Sequence, residues 1–485
     1  MNIAFVPLYI HYLGTEAYGL IGVFVLLQGW LALLDMGLTP ALGREMARFL
    51  AGTHTPQSIC NLVRSVEWVY MLIAVTITLS VLLAAPWLAA HWLQAEKLSV
   101  GMVENALTIM GGVIALRWLA GLYRSAITGL QRQVWLSGCA AIFSTLRGVG
   151  VLAALEFVSP TIQIFFIYQG VLYALEAFVL ATQMWHLLPR HPQSTRFHWQ
   201  ALHQVWRFAA GMTVITLLSI LLTQVDKLLL SKLLPLAEFG YYILASTVGS
   251  ALLTLVAPIS TVSSPRLAEL VARGDIVALA EMYHKFSQMI TLIVVPTALV
   301  LALFSDDVLL LWTRDNATTA AVASLVSLLV IGNMLNSFTL MPFFLQLAYG
   351  WTRFAIVAMI ISVLAVVPIT YIGISAYGVI AAPIIWIIFN VGYIAIALPL
   401  MHRKLLPAEK WRWYGQDVFM PAIAVFTVVG FVRILMPAPI LDKPLESVFA
   451  IAIAATAALA TAIVATPLGR SQLRQYFRRL CNNDE

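Results

Sequence analysis

Arginine residues lie deep inside apolar stretches of this chain, where a charge is costly and usually faces a partner or a water-filled cavity. Arg117 is near the middle of one stretch, and Gly121, Arg124 and Thr128 follow at helical spacing on the same face. Arg147 is in the middle of the next stretch. A guanidinium group donates two parallel hydrogen bonds to a phosphate. These arginines therefore indicate an anion-binding site, with snorkelling or an internal ion pair as the alternative.

A second polar stripe lies in a later stretch. Thr216, Thr223 and Lys227 share one helical face, and Asp226 is beside them. Side chains of neighbouring residues in a helix diverge by about 100°, so Asp226 and Lys227 cannot both occupy the centre of that face. Lys227 is a further candidate for binding an anion.

Three acidic residues are candidates for ion coupling. Asp35 and Glu176 lie near the ends of their apolar stretches, and Asp226 lies inside its own. Each could neutralise a basic side chain or carry a proton or a sodium ion, because charges inside a membrane commonly pair with one another.

The composition shows what must position these side chains. Of 485 residues, 61% are hydrophobic and only 10% are charged, whereas charged residues make up about a quarter of a soluble domain. The sequence therefore predicts an all-α polytopic membrane protein, since about 20 apolar residues cross a bilayer as a helix. Thirteen such spans are predicted at about 18–38, 67–90, 103–127, 135–157, 161–185, 209–233, 239–262, 286–305, 319–346, 354–374, 377–400, 418–436 and 447–467.

A repeat divides the spans into two sets. Tyr18-Gly19, at the start of one span, corresponds to Phe239-Gly240, 221 residues further along at the start of another. The tails Glu45-Met46-Ala47-Arg48-Phe49 and Arg266-Leu267-Ala268-Glu269-Leu270 correspond at the same shift. Each repeat would hold six helices. An even number of spans keeps both lobes in the same orientation, which predicts a parallel repeat.

The repeat predicts four regions of the chain. These are an N-terminal lobe at 1–187, a linker at 188–207, a C-terminal lobe at 208–402, and an interfacial segment with two further helices and a basic tail at 403–485. Residues 1–13 would span only about 20 Å as a helix, so we expect the first helix to be N-terminally truncated or to start upstream. The four histidines in and just before the linker, His186, His191, His198 and His203, lack the spacing of a metal motif, and we expect no metal site.

The basic residues predict the topology. Most of the 28 Lys and Arg residues fall in one set of alternate loops and at the C-terminus, which by the positive-inside rule are cytoplasmic. The net charge of +6 is thus a topology signal and does not indicate nucleic-acid binding. Aromatic and basic residues of 403–417 indicate anchoring at the headgroup region.

The chain lacks the sequence marks of an enzyme. It has no Gly-x-x-x-x-Gly-Lys-Ser/Thr loop and no His-Glu-x-x-His or Gly-x-Ser-x-Gly motif. The predicted loops are too short for a separate catalytic domain. We therefore expect a protein that is not an enzyme and that needs no cofactor.

Several motifs together resemble one family. They are Pro7-Leu8-Tyr9 with Tyr12-Leu13-Gly14-Thr15-Glu16-Ala17-Tyr18-Gly19, Leu34-Asp35-Met36-Gly37-Leu38 with Arg44, Gly129-Leu130-Gln131-Arg132, and Asp226-Lys227-Leu228-Leu229-Leu230 before Phe239-Gly240-Tyr241-Tyr242. In this order they resemble Wzx-type lipid-linked oligosaccharide flippases over nearly the whole chain.

The resemblance implies the fold of the multidrug/oligosaccharidyl-lipid/polysaccharide (MOP) exporters, with two six-helix lobes and two extra helices. It also implies that the protein flips undecaprenyl diphosphate-linked oligosaccharide across the bacterial inner membrane. A polysaccharide polymerase and chain-length proteins would be partners, and the C-terminus would be cytoplasmic. Arg117, Arg147, Arg124 and Lys227 would then hold the headgroup, with Asp226, Asp35 or Glu176 in coupling. A cation-coupled multidrug exporter of the same fold is the alternative, followed by a membrane glycosyltransferase or polymerase.

Overall fold

The computed structural model describes residues 5–35, 37–50, 52, 54–189, 197, 199–436 and 444–482, and within them all named secondary structure is helical. Eleven stretches of this part of the chain are long and apolar enough to cross a membrane. One of them, Arg353–Leu405, covers two predicted spans. The predicted span 209–233 lies within another helix, Trp199–Leu233, and ends at the same residue. The predicted all-α polytopic membrane fold is confirmed.

The chain forms two compact units, Met1–Gly240 and Tyr241–Glu485. The helices up to residue 233 are α1 Val6–Leu13, α2 Thr15–Leu31, α3 Leu38–Leu50, α4 Pro56–Trp87, α5 Val100–Gly129, α6 Gln133–Phe157, α7 Ile162–Leu187 and α8 Trp199–Leu233. A 3₁₀ turn, Ala32–Asp35, follows α2, and a π-helical turn, Leu88–Trp92, follows α4.

The remaining helices are α9 Leu236–Arg273, α10 Ile276–Leu303, α11 Ser305–Thr313, α12 Asn316–Phe338, α13 Leu340–Ala348, α14 Thr352–Tyr377, α15 Ala381–Gly392, α16 Leu398–Leu405, α17 Lys410–Arg412, α18 Met420–Leu435, α19 Pro444–Ala465 and α20 Pro467–Asn482. Two 3₁₀ turns, Gly378–Ile380 and Pro407–Glu409, and two π-helical segments, Tyr393–Ala397 and Trp413–Phe419, connect some of them.

The predicted domain limits remain predictions. Most of the linker's basic and histidine residues, in 190–196 and at 198, lie outside the described residues. The helix α8, which the repeat places at the start of the second lobe, packs within the first unit against α2, α3 and α4.

Side-chain caps start several of the long helices. Thr55 accepts a hydrogen bond from the Ser58 amide at 3.2 Å and begins α4, and Ser99 caps α5 through the Met102 amide at 3.3 Å. Asp275 begins α10 by accepting from the Ala278 amide at 3.0 Å. Such caps satisfy amide groups that a helix end leaves without a partner, so they fix where each span enters from its loop.

In the first unit, α5 lies at the centre and packs against α3, α4 and α7. The approach to α3 is close at Gly129, which has no side chain to keep the helices apart. A Cβ atom there would meet the Gly43 carbonyl oxygen and, at 2.6 Å, the Met46 Cβ atom. The helix that carries Arg117 and Arg124 is therefore held tightly against α3.

We expect Gly129→Ala to lower the thermal unfolding midpoint of the purified protein. Overpacking of this kind costs about 1–3 kcal/mol, and the backbone atoms of α3 cannot rotate away. Gly121→Ala on the same helix is the control, because a Cβ atom there has nothing within 4 Å. An unchanged midpoint for Gly129→Ala would show that α3 and α5 separate easily.

The helix α3 carries a buried carboxylate among basic side chains. Glu45 is 5% exposed and forms ion pairs with Arg44 at 2.7 Å, Arg48 at 3.2 Å and His54 at 2.8 Å. Burial raises the pKa of Glu45, but the His54 and arginine donors outweigh it and hold the pKa below its ordinary value. These basic residues, which lie on the predicted cytoplasmic side, thus stabilise α3 and the turn after it by pairing with Glu45.

In the second unit, a buried polar cluster joins α10 to the segments that follow α16. His284 is 2% exposed, and Nδ1 contacts the carboxylate of Asp417, which is fully buried. Its Nε2 lies 2.9 Å from Glu409 Oε2. Gln288 donates to Asp417 Oδ1 at 2.7 Å and accepts from the Leu468 amide at 2.8 Å. The C-terminal helices are therefore fastened to α10 by polar groups.

Candidate functional site

The three predicted arginines meet at one cavity in the first unit. Arg117 and Arg124 project from α5 and Arg147 from α6, and both helices pack against α7. The cavity has a volume of about 280 Å³. Its lining comes from α1, α2, α5, α6 and α7 and consists of Tyr9, Phe24, Val25, Gln28, Arg117, Arg124, Ser144, Arg147, Gly148, Phe165, Gln169 and Tyr173.

Glu176 on α7 bridges two of these arginines. Arg124 Nη2 donates to Glu176 Oε1 at 2.6 Å, and Arg147 Nη1 donates to the other carboxylate oxygen. Glu176 is 1% exposed, whereas the Arg124 side chain is 40% exposed. Burying a carboxylate is costly unless it is paired, and here two cations from two helices satisfy it. Glu176 thus forms a buried ion pair with both Arg124 and Arg147.

Arg117 has a different environment. It donates to Gln28 Oε1, a neutral acceptor on α2, and its guanidinium lies 5.8 Å from the centre of the Tyr173 ring. Among the described residues it has no carboxylate partner. The Nε2 atom of Gln28 is buried and has no hydrogen-bond partner in the described part of the chain.

Tyr173 connects the arginines of α5 and α6. The Arg147 guanidinium lies 4.6 Å from its ring centre, on the same ring that Arg117 approaches. Cation–π contacts of this kind favour a cation over the ring face and hold the guanidinium groups in place without neutralising them. The three arginines thus line the cavity with one carboxylate, Glu176, paired to two of them, and the cavity has an excess of positive charge.

Asp35 lies away from this cavity. Its carboxylate accepts from the Thr39 amide at 3.2 Å, from the Thr39 hydroxyl at 2.5 Å and from the Tyr70 hydroxyl. It therefore acts as a cap at the start of α3. No Lys or Arg forms an ion pair with it in the part of the chain that the structure describes.

Asp226 and Lys227 on α8 form a close pair. Lys227 Nζ lies 3.5 Å from Asp226 Oδ2 and donates to the Thr223 carbonyl at 3.3 Å. Neither residue belongs to the described lining of the arginine cavity. Lys227 is therefore not brought together with the three arginines.

The cavity also contains polar residues that were not singled out from the sequence. Gln28, Gln169 and Tyr173 line it, and Gln169 is 6% exposed. Gln169, Tyr173 and Glu176 share one face of α7 because they are three or four residues apart. A polar face on an otherwise apolar span was the signal that could have found them. Among the described residues no group of three His, Cys, Asp or Glu side chains could hold a metal ion.

Two solved structures show the class of this fold. An inward-facing multidrug resistance MATE family transporter of the MOP superfamily matches with a TM-score of 0.67 at 14% identity, covering 83% of this chain and 95% of that one. The lipid II flippase MurJ matches with a TM-score of 0.63 at 12% identity, covering 92% and 96%. The fold is that of the MOP-superfamily membrane transporters, as the sequence predicted.

Residues 12–315 match the polysaccharide biosynthesis protein family, and the chain belongs to that family. A Shigella flexneri protein whose name describes it as an O-antigen transporter is 20% identical over 374 residues. That match covers 77% of this chain and 87% of the Shigella protein.

Proposed function

We propose that this protein flips undecaprenyl diphosphate-linked oligosaccharide across the bacterial inner membrane by alternating access, for surface polysaccharide biosynthesis. The observation that carries the proposal is the cavity lined by Arg117, Arg124 and Arg147, of which only Arg124 and Arg147 are paired with a carboxylate, that of Glu176. Membership of a polysaccharide biosynthesis family and a transporter fold support it.

The charges in the cavity suit a diphosphate. Arg117 has only the neutral Gln28 as its described hydrogen-bond partner, so an incoming phosphate can bind it without displacing an anion. Arg124 and Arg147 can then exchange the Glu176 carboxylate for phosphate oxygens, which accept the same paired N–H bonds. The substrate diphosphate would in this way gain three guanidinium partners.

The size of the cavity sets which part of the substrate it holds. Ligand pockets range from roughly 300 to 1,000 Å³, and this cavity of about 280 Å³ lies just below that range. A cavity of this size is therefore large enough for a diphosphate and part of the first sugar ring, and too small for the whole oligosaccharide. The polyprenyl tail would remain in the bilayer, where its apolar surface is already removed from water.

We propose that one of the three candidate acids couples transport to a proton or a sodium ion. Glu176 is the one of the three candidates that contacts the arginines, and a proton on it would release Arg124 and Arg147 for the substrate. Asp35 and Asp226 would carry a proton or sodium ion only at a distance from the headgroup. We also propose that Lys227 contacts the substrate at another stage of transport. The proposed protein partners are a polysaccharide polymerase and chain-length proteins.

A multidrug exporter is the second candidate function, favoured by the fold that this chain shares with MATE transporters. The excess of arginine in the cavity argues against it, since an organic cation would be repelled. Transport of organic cations by the purified protein in vesicles, without movement of lipid-linked sugar, would favour it. Sugar transfer by the isolated chain would instead favour a glycosyltransferase or polymerase.

Arg117→Ala tests the proposed function. We expect roughly 10- to 100-fold weaker binding of the diphosphate, the equivalent of one lost charge-assisted hydrogen-bonding group, and a marked loss of surface polysaccharide in a deletion strain. Surface polysaccharide is measured at matched expression of the two proteins. Because Arg117 has no described carboxylate partner, its removal leaves no buried anion behind.

Arg273→Ala is the matched control. This arginine is 66% exposed and its ion pair with Glu269 is also exposed, so its removal should change surface polysaccharide little. Full surface polysaccharide from both Arg117→Ala and Arg147→Ala would contradict the assignment of the headgroup site.

A further inference from the structure

A second cavity lies in the second unit, far along the chain from the three arginines. Its volume is about 560 Å³. Its lining comes from α12, from the end of α15, from the π-helical segment and the start of α16 that follow, and from residues 410–419. Most of the lining is apolar, including Leu335, Val391, Ala395 and Phe419. The polar side chain of Lys410 stands among them together with Trp411 and Tyr414.

Lys410 and Arg412 differ in their ion pairing. Arg412 pairs with Glu409 at 3.5 Å, and Glu409 also contacts His284 at 2.9 Å. Lys410 has no ion pair among the described residues, and its ammonium lies 4.5 Å from the centre of the Trp411 ring. Trp411 is 76% exposed. An exposed tryptophan beside a lysine is typical of the membrane–water interface.

The backbone around this cavity is unusual. The π-helical segments Tyr393–Ala397 and Trp413–Phe419 both contribute to its lining. The Tyr414 hydroxyl on one donates to the Ile394 carbonyl on the other at 2.5 Å. Segments with π-helical hydrogen bonding are rare and occur frequently at functional sites. Two of them at one cavity independently indicate a binding site.

We propose that this cavity binds an anionic phospholipid of the bilayer, with its phosphate at Lys410 and an acyl chain along Leu335, Val391 and Phe419. The apolar lining of a membrane-spanning chain faces hydrocarbon, and the ammonium of Lys410 complements a negative headgroup. The interfacial segment would thereby be tied to one lipid molecule. This site is separate from the arginine cavity and does not depend on the proposed transport function.

Tryptophan fluorescence tests the proposal in nanodiscs that contain lipids with brominated acyl chains, which quench nearby tryptophans. The chain has 14 tryptophans, so the Trp411 signal is the difference between the wild type and Trp411→Phe. We expect brominated phosphatidylglycerol to be preferred over brominated phosphatidylcholine about fivefold at Trp411, as one lysine near the surface provides. Lys410→Gln should abolish the preference, and Lys410→Arg should keep it.

Lys404→Gln is the matched control. Lys404 lies on α16 with its ammonium 4.1 Å from the centre of the Trp351 ring, and it does not line this cavity. The Lys404→Gln variant should keep the preference for brominated phosphatidylglycerol at Trp411. Equal quenching by both lipids in the wild type would overturn the proposal, and so would an equal loss in Lys404→Gln and Lys410→Gln. Displacement of phosphatidylglycerol by an equimolar polyprenyl phosphate would overturn it too, since the occupant would then be a polyprenyl lipid.

Discussion

Arg147→Ala should abolish transport of the lipid-linked sugar and destabilise the protein at the same time. The change removes one of the two cations that satisfy Glu176, which is 1% exposed. Breaking a buried ion pair from one side costs about 3–5 kcal/mol. Surface polysaccharide in the deletion strain, the unfolding midpoint in detergent and calorimetric binding of inorganic pyrophosphate measure the two effects.

The double variant Arg147→Ala with Glu176→Gln separates stability from binding. It removes both charges, so we expect most of the stability to return while pyrophosphate binding stays weak. Glu176→Gln alone should bind pyrophosphate more tightly than the wild type, because no carboxylate competes for Arg124 and Arg147. Pyrophosphate binding as tight in the double variant as in Glu176→Gln alone would show that Arg147 serves Glu176 and no ligand.

His284→Ala should produce the largest loss of stability in the second unit. Both ring nitrogens of His284 contact carboxylates, Nδ1 that of Asp417 and Nε2 that of Glu409, so removal of the ring takes a hydrogen-bond partner from each. Without the ring, the fully buried Asp417 keeps only Gln288 as its described side-chain partner. We expect a loss of about 3–5 kcal/mol.

Thermal unfolding and hydrogen exchange measure this loss. Amides of residues 407–419 should exchange faster in His284→Ala, because this segment loses its attachment to α10. His284→Ala combined with Asp417→Asn should recover part of the midpoint, since the unpaired charge is gone. The matched control is His91→Ala, an exposed histidine after α4, which should leave both measurements unchanged. A His284→Ala midpoint equal to the wild type would mean that Asp417 is satisfied in another way.

The membrane spans could be predicted because each depends on a local property. About 20 consecutive apolar residues are enough to define a helix that crosses a bilayer, and no knowledge of its neighbours is needed. The meeting of Arg117 and Arg124 was predictable for a similar reason, since seven residues return to one face of a helix. Arg147 joined them because consecutive helices are usually close in space.

Pairings across the fold could not be predicted in the same way. Glu176 reaches Arg124 and Arg147 because α7 packs against both α5 and α6, which no local pattern in the sequence states. The contact of His284 with Asp417 joins residues 133 positions apart. The composition of 403–417 indicated an interfacial segment, but it carried no sign that Asp417 is fully buried.

Asp35 illustrates how a helix end changes a role. The apolar run continues to residue 38, so the predicted span placed Asp35 inside the membrane helix. In the structure α2 ends at Leu31 and a 3₁₀ turn reaches Asp35, which then caps the next helix through Thr39.

The Glu176 bridge gives Arg124 and Arg147 a resident ligand within the fold. A carboxylate fixed in the fold competes for Arg124 and Arg147 as an intramolecular group, at an effective concentration that dilution does not lower. Chloride carries a single charge and would have to displace it without offering paired oxygen acceptors in return. A diphosphate can engage Arg117 first and then replace the carboxylate. On the proposed function, the same glutamate that stabilises the protein without substrate would also keep chloride from occupying the site.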